Sequence, residues 1–324
     1  MSASSVSADF PHLIVPARAI PVPQTISREA QKFLAASPPR TQTTGWTREA
    51  IAAIESHLAE RCAALPQLFP ADIVTQRLSA TSLFEIASKT DSKLNEARAV
   101  LYVHGGAFVV GGGILAAQMA LPLTAMVSCK VFAIDYRMPP DHPFPAALDD
   151  ALEAYRYVLE RFAPHNVAIY GASAGGGLAA ALILKARDLG LALPGASVLV
   201  TPEADLTESG DTFATNEIID VVLQRRLTDS IALYANGHEL TDPYLSPIFG
   251  DFHKGFPPTI LISGTRDLFL SNTVILHRAL RRAGVAAELH VFEAMPHGGF
   301  QGAPEDAESL TEQVRFLSRH LGSS

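Results

Sequence analysis

A chain of 324 residues, 48% hydrophobic and 18% charged, is long enough to bury a large core and lies at the upper edge of one α/β domain plus a small accessory piece. Its formal net charge of −8, with no block of Lys or Arg, speaks against nucleic acid and against an anionic membrane surface, and suits an uncharged or cationic small molecule. Two cysteines, Cys62 and Cys129, lack CxxC spacing and the eleven histidines are scattered singly, which argues against a disulfide framework and against a metal cluster.

Residues 1–24 carry Pro11, Pro16, Pro21 and Pro23 among apolar residues and read as an extended arm. The start has no basic cluster and no continuous apolar run before Pro11, so no signal peptide is expected and the cytoplasm is the default location. Residues 27–36 read as a short helix ended by Pro38-Pro39. Ile51, Ile54, Leu58 and Cys62 recur at helical spacing and predict a surface helix over 47–65 with one buried face. Because these segments precede any strand, residues 1–66 are assigned to an arm and helices of a cap.

Two alternating runs, 73–78 and 83–87, are expected to pair as antiparallel edge strands. From there strands at 99–103, 131–135, 167–170, 197–200, 259–263 and 287–292 alternate with helices at 115–127, 146–161, 174–189, 272–283 and 304–321. Such alternation predicts an α/β fold with a mostly parallel twisted sheet, covered by helices on both faces, over 67–204 and 247–324. Reactive groups then belong on the loops at the carboxyl ends of the strands. Residues 205–246 interrupt the alternation with a helical patch at 218–235 before Pro243, and a long insertion of this kind is read as the second part of the cap.

The stretch between Arg98 and Lys130 has no charged side chain. It also holds His104-Gly105-Gly106, Gly111-Gly112-Gly113 and Pro122, which would leave backbone groups unpaired in lipid. A buried strand, a loop and a buried helix account for it, and no membrane span is expected.

Gly171-Ala172-Ser173-Ala174-Gly175 follows the apolar run Val167-Ala168-Ile169-Tyr170 and precedes the small-residue run from Gly176 to Leu184. Strand, sharp turn, helix is the setting in which a strained turn lifts a serine hydroxyl above a sheet. A serine needs a base, and the base needs a partner that fixes its tautomer and stabilises its charged form. His297 directly follows a strand, in Met295-Pro296-His297-Gly298-Gly299, whereas His277 and His320 fall in helices and His290 within a strand. For the acid, Asp267 follows the strand at 259–263 and is chosen over Glu203 and Asp205, which both follow the strand ending at Val200. The chain order Ser173, Asp267, His297 is that of the α/β-hydrolase triad. Donors for a tetrahedral oxyanion are expected from the amides of Gly105, Gly106 and Ala174. Arg137 is read as structural, bracing the loop of Gly105 and Gly106, with an anion contact as the alternative.

His104-Gly105-Gly106-Ala107, Asp135-Tyr136-Arg137 followed by His142-Pro143-Phe144-Pro145, Gly171-Ala172-Ser173-Ala174-Gly175-Gly176, Asp267 and His297-Gly298 together resemble the bacterial hormone-sensitive-lipase-like (family IV) carboxylesterases. The likeness spans about residues 95–321. It implies an α/β-hydrolase fold with a helical cap, a serine carboxylesterase acting on short-acyl esters through an acyl-enzyme, no cofactor, and homodimers, with the strand at 287–292 as the edge where two copies pair. Phe108 and Glu203 are placed in the substrate pocket; Glu203 stands where the family usually has Trp. A lactone hydrolase or amidase with the same triad is the alternative, and a hydrolase-fold protein that only binds its ligand is a further one.

Overall fold

The computed structural model describes residues 13–36, 45–91 and 94–322; the expected stop at Pro38-Pro39 and the arm before residue 13 lie outside them. Ser27 and Thr47 accept amide hydrogens of Ala30 and Ala50 and so start α1 (Arg28–Ala35) and α2 (Arg48–Cys62), in keeping with the preference of hydroxyl side chains for that position. A short α3 (Leu65–Leu68) follows. Along α2 only Cys62 is buried, while Ile51, Ile54 and Leu58 are half-covered, so the expected buried face is a shallow one.

Among the described residues one sheet contains β1 (Ala71–Arg77), β2 (Ser82–Ser88), β3 (Asn95–Val103), β4 (Cys129–Asp135), β5 (Val167–Ala172), β6 (Ala196–Val200), β7 (Thr259–Gly264) and β8 (Ala287–Phe292). Their order is β1-β2-β4-β3-β5-β6-β7-β8. The pairs β1–β2 and β2–β4 are antiparallel and every other pair is parallel. Only β1 of the two expected edge strands is an edge: β2 lies one place in, hydrogen-bonded on both sides.

Side-chain alternation along the strands divides the core in two. Leu101, Val103, Phe132, Ile134, Val167 and Ile169 point to one face, against α5 (Ala146–Leu159), α6 (Ala174–Asp188) and, from beyond the insertion, α9 (Leu270–Arg282). Val100, Tyr102, Val131, Ala133 and Ala168 point to the other, against α4 (Ile114–Val127) and α10 (Pro304–His320). Strands buried on both faces explain the near-continuous apolar runs in the sequence. The uncharged stretch thus resolves into β3, a glycine-rich loop and α4, and no described helix is long and apolar enough to cross a membrane.

The insertion carries α7 (Thr212–Thr215) and α8 (Thr228–Ala235). Of the helical patch expected at 218–235 only 228–235 is helix, and α7 lies before it. The Asp220 carboxylate accepts the amides of Val222 and Leu223 at 2.9 and 3.0 Å, a local turn that competes with helix.

From β3 the chain crosses to β4 on one side, and β5 returns on the other side of β3. The loops leaving β3 and β5 part company at the carboxyl ends of these strands, the place where open α/β sheets hold their ligands.

Candidate active site

The turn after β5 holds Ser173 at φ 57°, ψ −128°. A non-glycine residue takes a positive φ only when its surroundings fix it. Here the Ser173 amide donates to Val200 O at 2.9 Å, while Ser173 O accepts from Gly176 N at 2.8 Å and Glu203 N at 3.0 Å. Any side chain at Gly175 would collide with the Val103 and His104 carbonyls, so this glycine lets α6 begin directly against β3. The Ser173 amide being engaged, the first amide of α6 free to face a ligand over the turn is that of Ala174.

The loop after β3 approaches the same point. A β-carbon at Gly105 would stand 3.1 Å from Ser173 Cβ and 2.9 Å from Ala172 O, and the Gly105 and Gly106 amides have no partner among the described residues. Gly106 takes φ 127°, open only to glycine at low cost. The brace beneath this loop is Tyr136. Its hydroxyl donates to His104 O at 2.9 Å and its ring stacks on His104 at 4.0 Å. His104 is wholly buried, and burial lowers its pKa to about 4 against a partial offset from its bond to Gly105 O. Arg137 spends its hydrogen bonds elsewhere: its backbone amide and guanidinium bind Asp150 of α5, the shortest bond being 2.7 Å. The expected bracing role is thus corrected to a tie between the β4 end and α5, a planar fork on a carboxylate that is 2% exposed.

His297 and Asp267 complete the row. His297 Nδ1 lies 3.0 Å from Asp267 Oδ1 and its Nε2 lies 2.8 Å from Ser173 Oγ. A carboxylate only accepts, so Nδ1 carries the proton, and Nε2 is left to accept the serine hydroxyl. Asp267 is itself held: Oδ1 also accepts the Phe269 amide at 3.0 Å and Oδ2 accepts Ser263 Oγ at 2.6 Å. Burial disfavours the imidazolium of His297. The hydrogen bond and charge of Asp267, joined by the charge of Asp220, outweigh that and raise its pKa above the usual 6.5. A base works only when neutral, so kcat/KM for an ester should fall as the pH drops through a midpoint above 6.5. A pH–rate profile checks this, and a midpoint below the ordinary histidine value contradicts it.

The rival acids stand elsewhere. Asp205 gives both oxygens to its own turn, accepting Thr207 N, Thr207 Oγ1 and Ser209 Oγ. Glu203 is 1% exposed and neither carboxyl oxygen has a partner among the described residues. Burial, and secondarily the charge of Glu208, push its pKa well up, so it is a neutral acid beside the serine turn. Phe108, the other pocket candidate, is buried with its ring stacked on Tyr234 of α8 at 4.1 Å, which joins the glycine loop to the insertion.

One residue escaped the sequence reading. Asp220, fully buried in the insertion, accepts the Leu268 and His297 amides on Oδ2 at 2.9 and 3.1 Å, besides the two amides of its own turn on Oδ1. Asp220, Asp267 and His297 offer ligand atoms within 4.8 Å of one another. Their carboxylate oxygens are already occupied by N–H and O–H donors that an ion would have to displace.

A mostly parallel sheet with a Ser–His–Asp row over its carboxyl ends, beside free backbone amides, defines the serine-hydrolase class of α/β protein. Residues 100–301 match the family model described as alpha/beta hydrolase fold. The chain is 33% identical over 207 residues to an acetyl-hydrolase of Streptomyces hygroscopicus, covering 62% of this chain and 68% of that one. With the esterase LipU of Mycobacterium tuberculosis it shares 31% over 239 residues, 69% of this chain and 76% of the relative. The crystal structure of an esterase E25 superposes with a TM-score of 0.87 at 34% identity over 96% of this chain and 99% of that one. A hormone-sensitive lipase from a metagenome library gives 0.81 at 25% identity, over 92% and 100%. The chain belongs to the α/β-hydrolase family, in its hormone-sensitive-lipase-like branch of carboxylesterases.

Proposed function

We propose that the protein is a serine carboxylesterase in which Ser173 is the nucleophile, His297 the general base and acid, and Asp267 the residue that orients and stabilises His297. Ser173 Oγ adds to the ester carbonyl as His297 Nε2 takes its proton, and the resulting oxyanion is met by the amides of Gly105, Gly106 and Ala174. Collapse of this intermediate breaks the bond to the alcohol, which leaves with the proton from His297. Water, activated by the same imidazole, then releases the acid from Ser173. The observation that carries the reading is the unbroken hydrogen-bonded row from Ser173 through His297 to Asp267.

In this reading residues 205–246 and the helices before residue 67 form the cap. Supporting it, α8 stacks on the glycine loop through Tyr234, and Asn216 binds Thr265 O and Asp267 O. From the other side Ile26, Ala30 and Leu34 pack on Met295 and Phe300, flanking His297. Phe108 and the neutral Glu203 shape the acyl side, which favours short acyl groups. Free thiols at Cys62 and Cys129 suit the cytoplasm, and the exposed edge of β8 is the surface for pairing of two copies.

The test is labelling by a serine-reactive phosphonate, followed by rates on p-nitrophenyl esters of rising acyl length, a lactone and an amide. Stoichiometric labelling of Ser173 with fastest turnover of the shortest esters is expected. Labelling elsewhere, or a ligand bound without Ser173-dependent turnover, refutes the reading; faster lactone or amide hydrolysis reassigns the substrate.

A further inference from the structure

The peptide unit that joins Asp267 to Leu268 is gripped at both ends from the insertion. Its carbonyl accepts Asn216 Nδ2 at 2.8 Å, and its amide donates to Asp220 Oδ2 at 2.9 Å. That same oxygen accepts the His297 amide at 3.1 Å. Asp220 Oδ1 is fixed by Val222 N and Leu223 N, so the carboxylate has no freedom to turn away from either loop. One buried side chain therefore bridges the loop of the acid, the loop of the base and the cap segment. Burial, and after it the charge of Asp267, push the Asp220 pKa up, while the charge of His297 and the amides of Leu223 and Leu268 act against that and favour the carboxylate.

We propose that Asp220 is a positioning residue for hydrolysis: a carboxylate of the cap that locks the Asp267 and His297 loops in register and adds a second negative charge beside the imidazole. The proposal rests on the triad reading above. Asp267 and Asp220 are the titratable groups whose charges act on His297, and both favour its protonated form. The imidazolium forms transiently at each step of acyl transfer, so Asp220 stabilises the state in which the base has taken the proton. Asp220 touches neither substrate nor the reacting atoms; it acts through the placement and the charge of His297. Misplacing a reacting group by about 1 Å costs on the order of a hundred-fold in rate, which sets the scale of the loss expected when the grip is removed.

The experiment compares wild type with Asp220→Asn and Asp220→Glu on p-nitrophenyl acetate, each rate divided by the number of sites that a phosphonate titrates. Asp220→Asn keeps the size but not the charge or the full set of acceptors. It is expected to lower kcat about ten- to a hundred-fold with KM changed less than about three-fold, and to move the acidic limb of kcat/KM to lower pH. Asp220→Glu keeps the charge and misplaces it, so kcat should fall while the limb stays near the wild-type position. A role in stability alone would lower the melting temperature and leave the limb unmoved. Wild-type kcat per site and an unmoved limb in Asp220→Asn overturn the proposal. So does a measurement on wild type that needs no variant: rapid hydrogen exchange at the Leu268 and His297 amides, expected to be protected together. If wild type itself is not labelled at Ser173, it is the triad reading that fails.

Discussion

Ser173→Ala is expected to reduce ester turnover by about 10⁴- to 10⁶-fold, with a melting temperature within about 2 °C of wild type. The size of the loss follows from covalent catalysis: without Oγ there is no acyl-enzyme, and what remains is water attacking a carbonyl held by the glycine-loop amides. The small effect on stability follows from how the turn is built. Its positive φ is maintained by backbone bonds to Val200, Gly176 and Glu203 and by the close seat of Gly175, none of which involves the hydroxyl. The hydroxyl's own bond is to His297, at 2.8 Å. Turnover assays and calorimetry on the same preparation test both halves. Retained activity would remove Ser173 from the chemistry, and a collapsed melting temperature would show that the hydroxyl also holds the turn.

Asp267→Asn should cost about 10³- to 10⁴-fold in kcat per titrated site, and the environment of Asp267 specifies why. Oδ1 faces two donors, Phe269 N and His297 Nδ1, whereas Oδ2 faces a hydroxyl that can reverse its role. An asparagine therefore keeps its oxygen on the Oδ1 side and its amide towards Ser263. The imidazole keeps its orientation and tautomer, and what disappears is the charge opposite the imidazolium. Asp267 contributes both a hydrogen bond and a charge to the raised pKa of His297, so the acidic limb of kcat/KM should move to lower pH as the maximum falls. An unshifted limb together with wild-type kcat would exclude Asp267 from the row.

The strands and most helices were legible because buried parallel strands leave apolar runs and their helices leave periodic ones: β4, β5 and β7 lie within a residue or two of where the apolar runs place them. Ser173, His297 and Asp267, the row proposed for the chemistry, stand out in the sequence because each sits just past a strand end, where glycines or a turn mark a change of direction. What the residues alone did not disclose are contacts between distant segments. Arg137 sits beside a tyrosine that does the bracing assigned to Arg137, and nothing local separates a hydroxyl reaching His104 O from a guanidinium turning to Asp150. Asp220 lies inside the stretch read as a helical patch; its side chain makes a turn there and reaches loops 48 and 77 positions away in sequence. A carboxylate among apolar neighbours, in a segment where helix would leave it buried and unpaired, was the one available sign. The insertion at 205–246 stands out as an interruption of the alternation, but its grip on the Asp267 loop does not.

Two imidazoles share the mouth of this sheet, and acid reaches them in separate ranges. His104, sealed under the glycine loop and neutral down to about pH 4, keeps its stacking on Tyr136 while His297 takes up a proton at far milder acidity. Mild acidification should therefore slow turnover as His297 takes up its proton, while His104 stays stacked on Tyr136, and a return to neutral buffer should restore the rate.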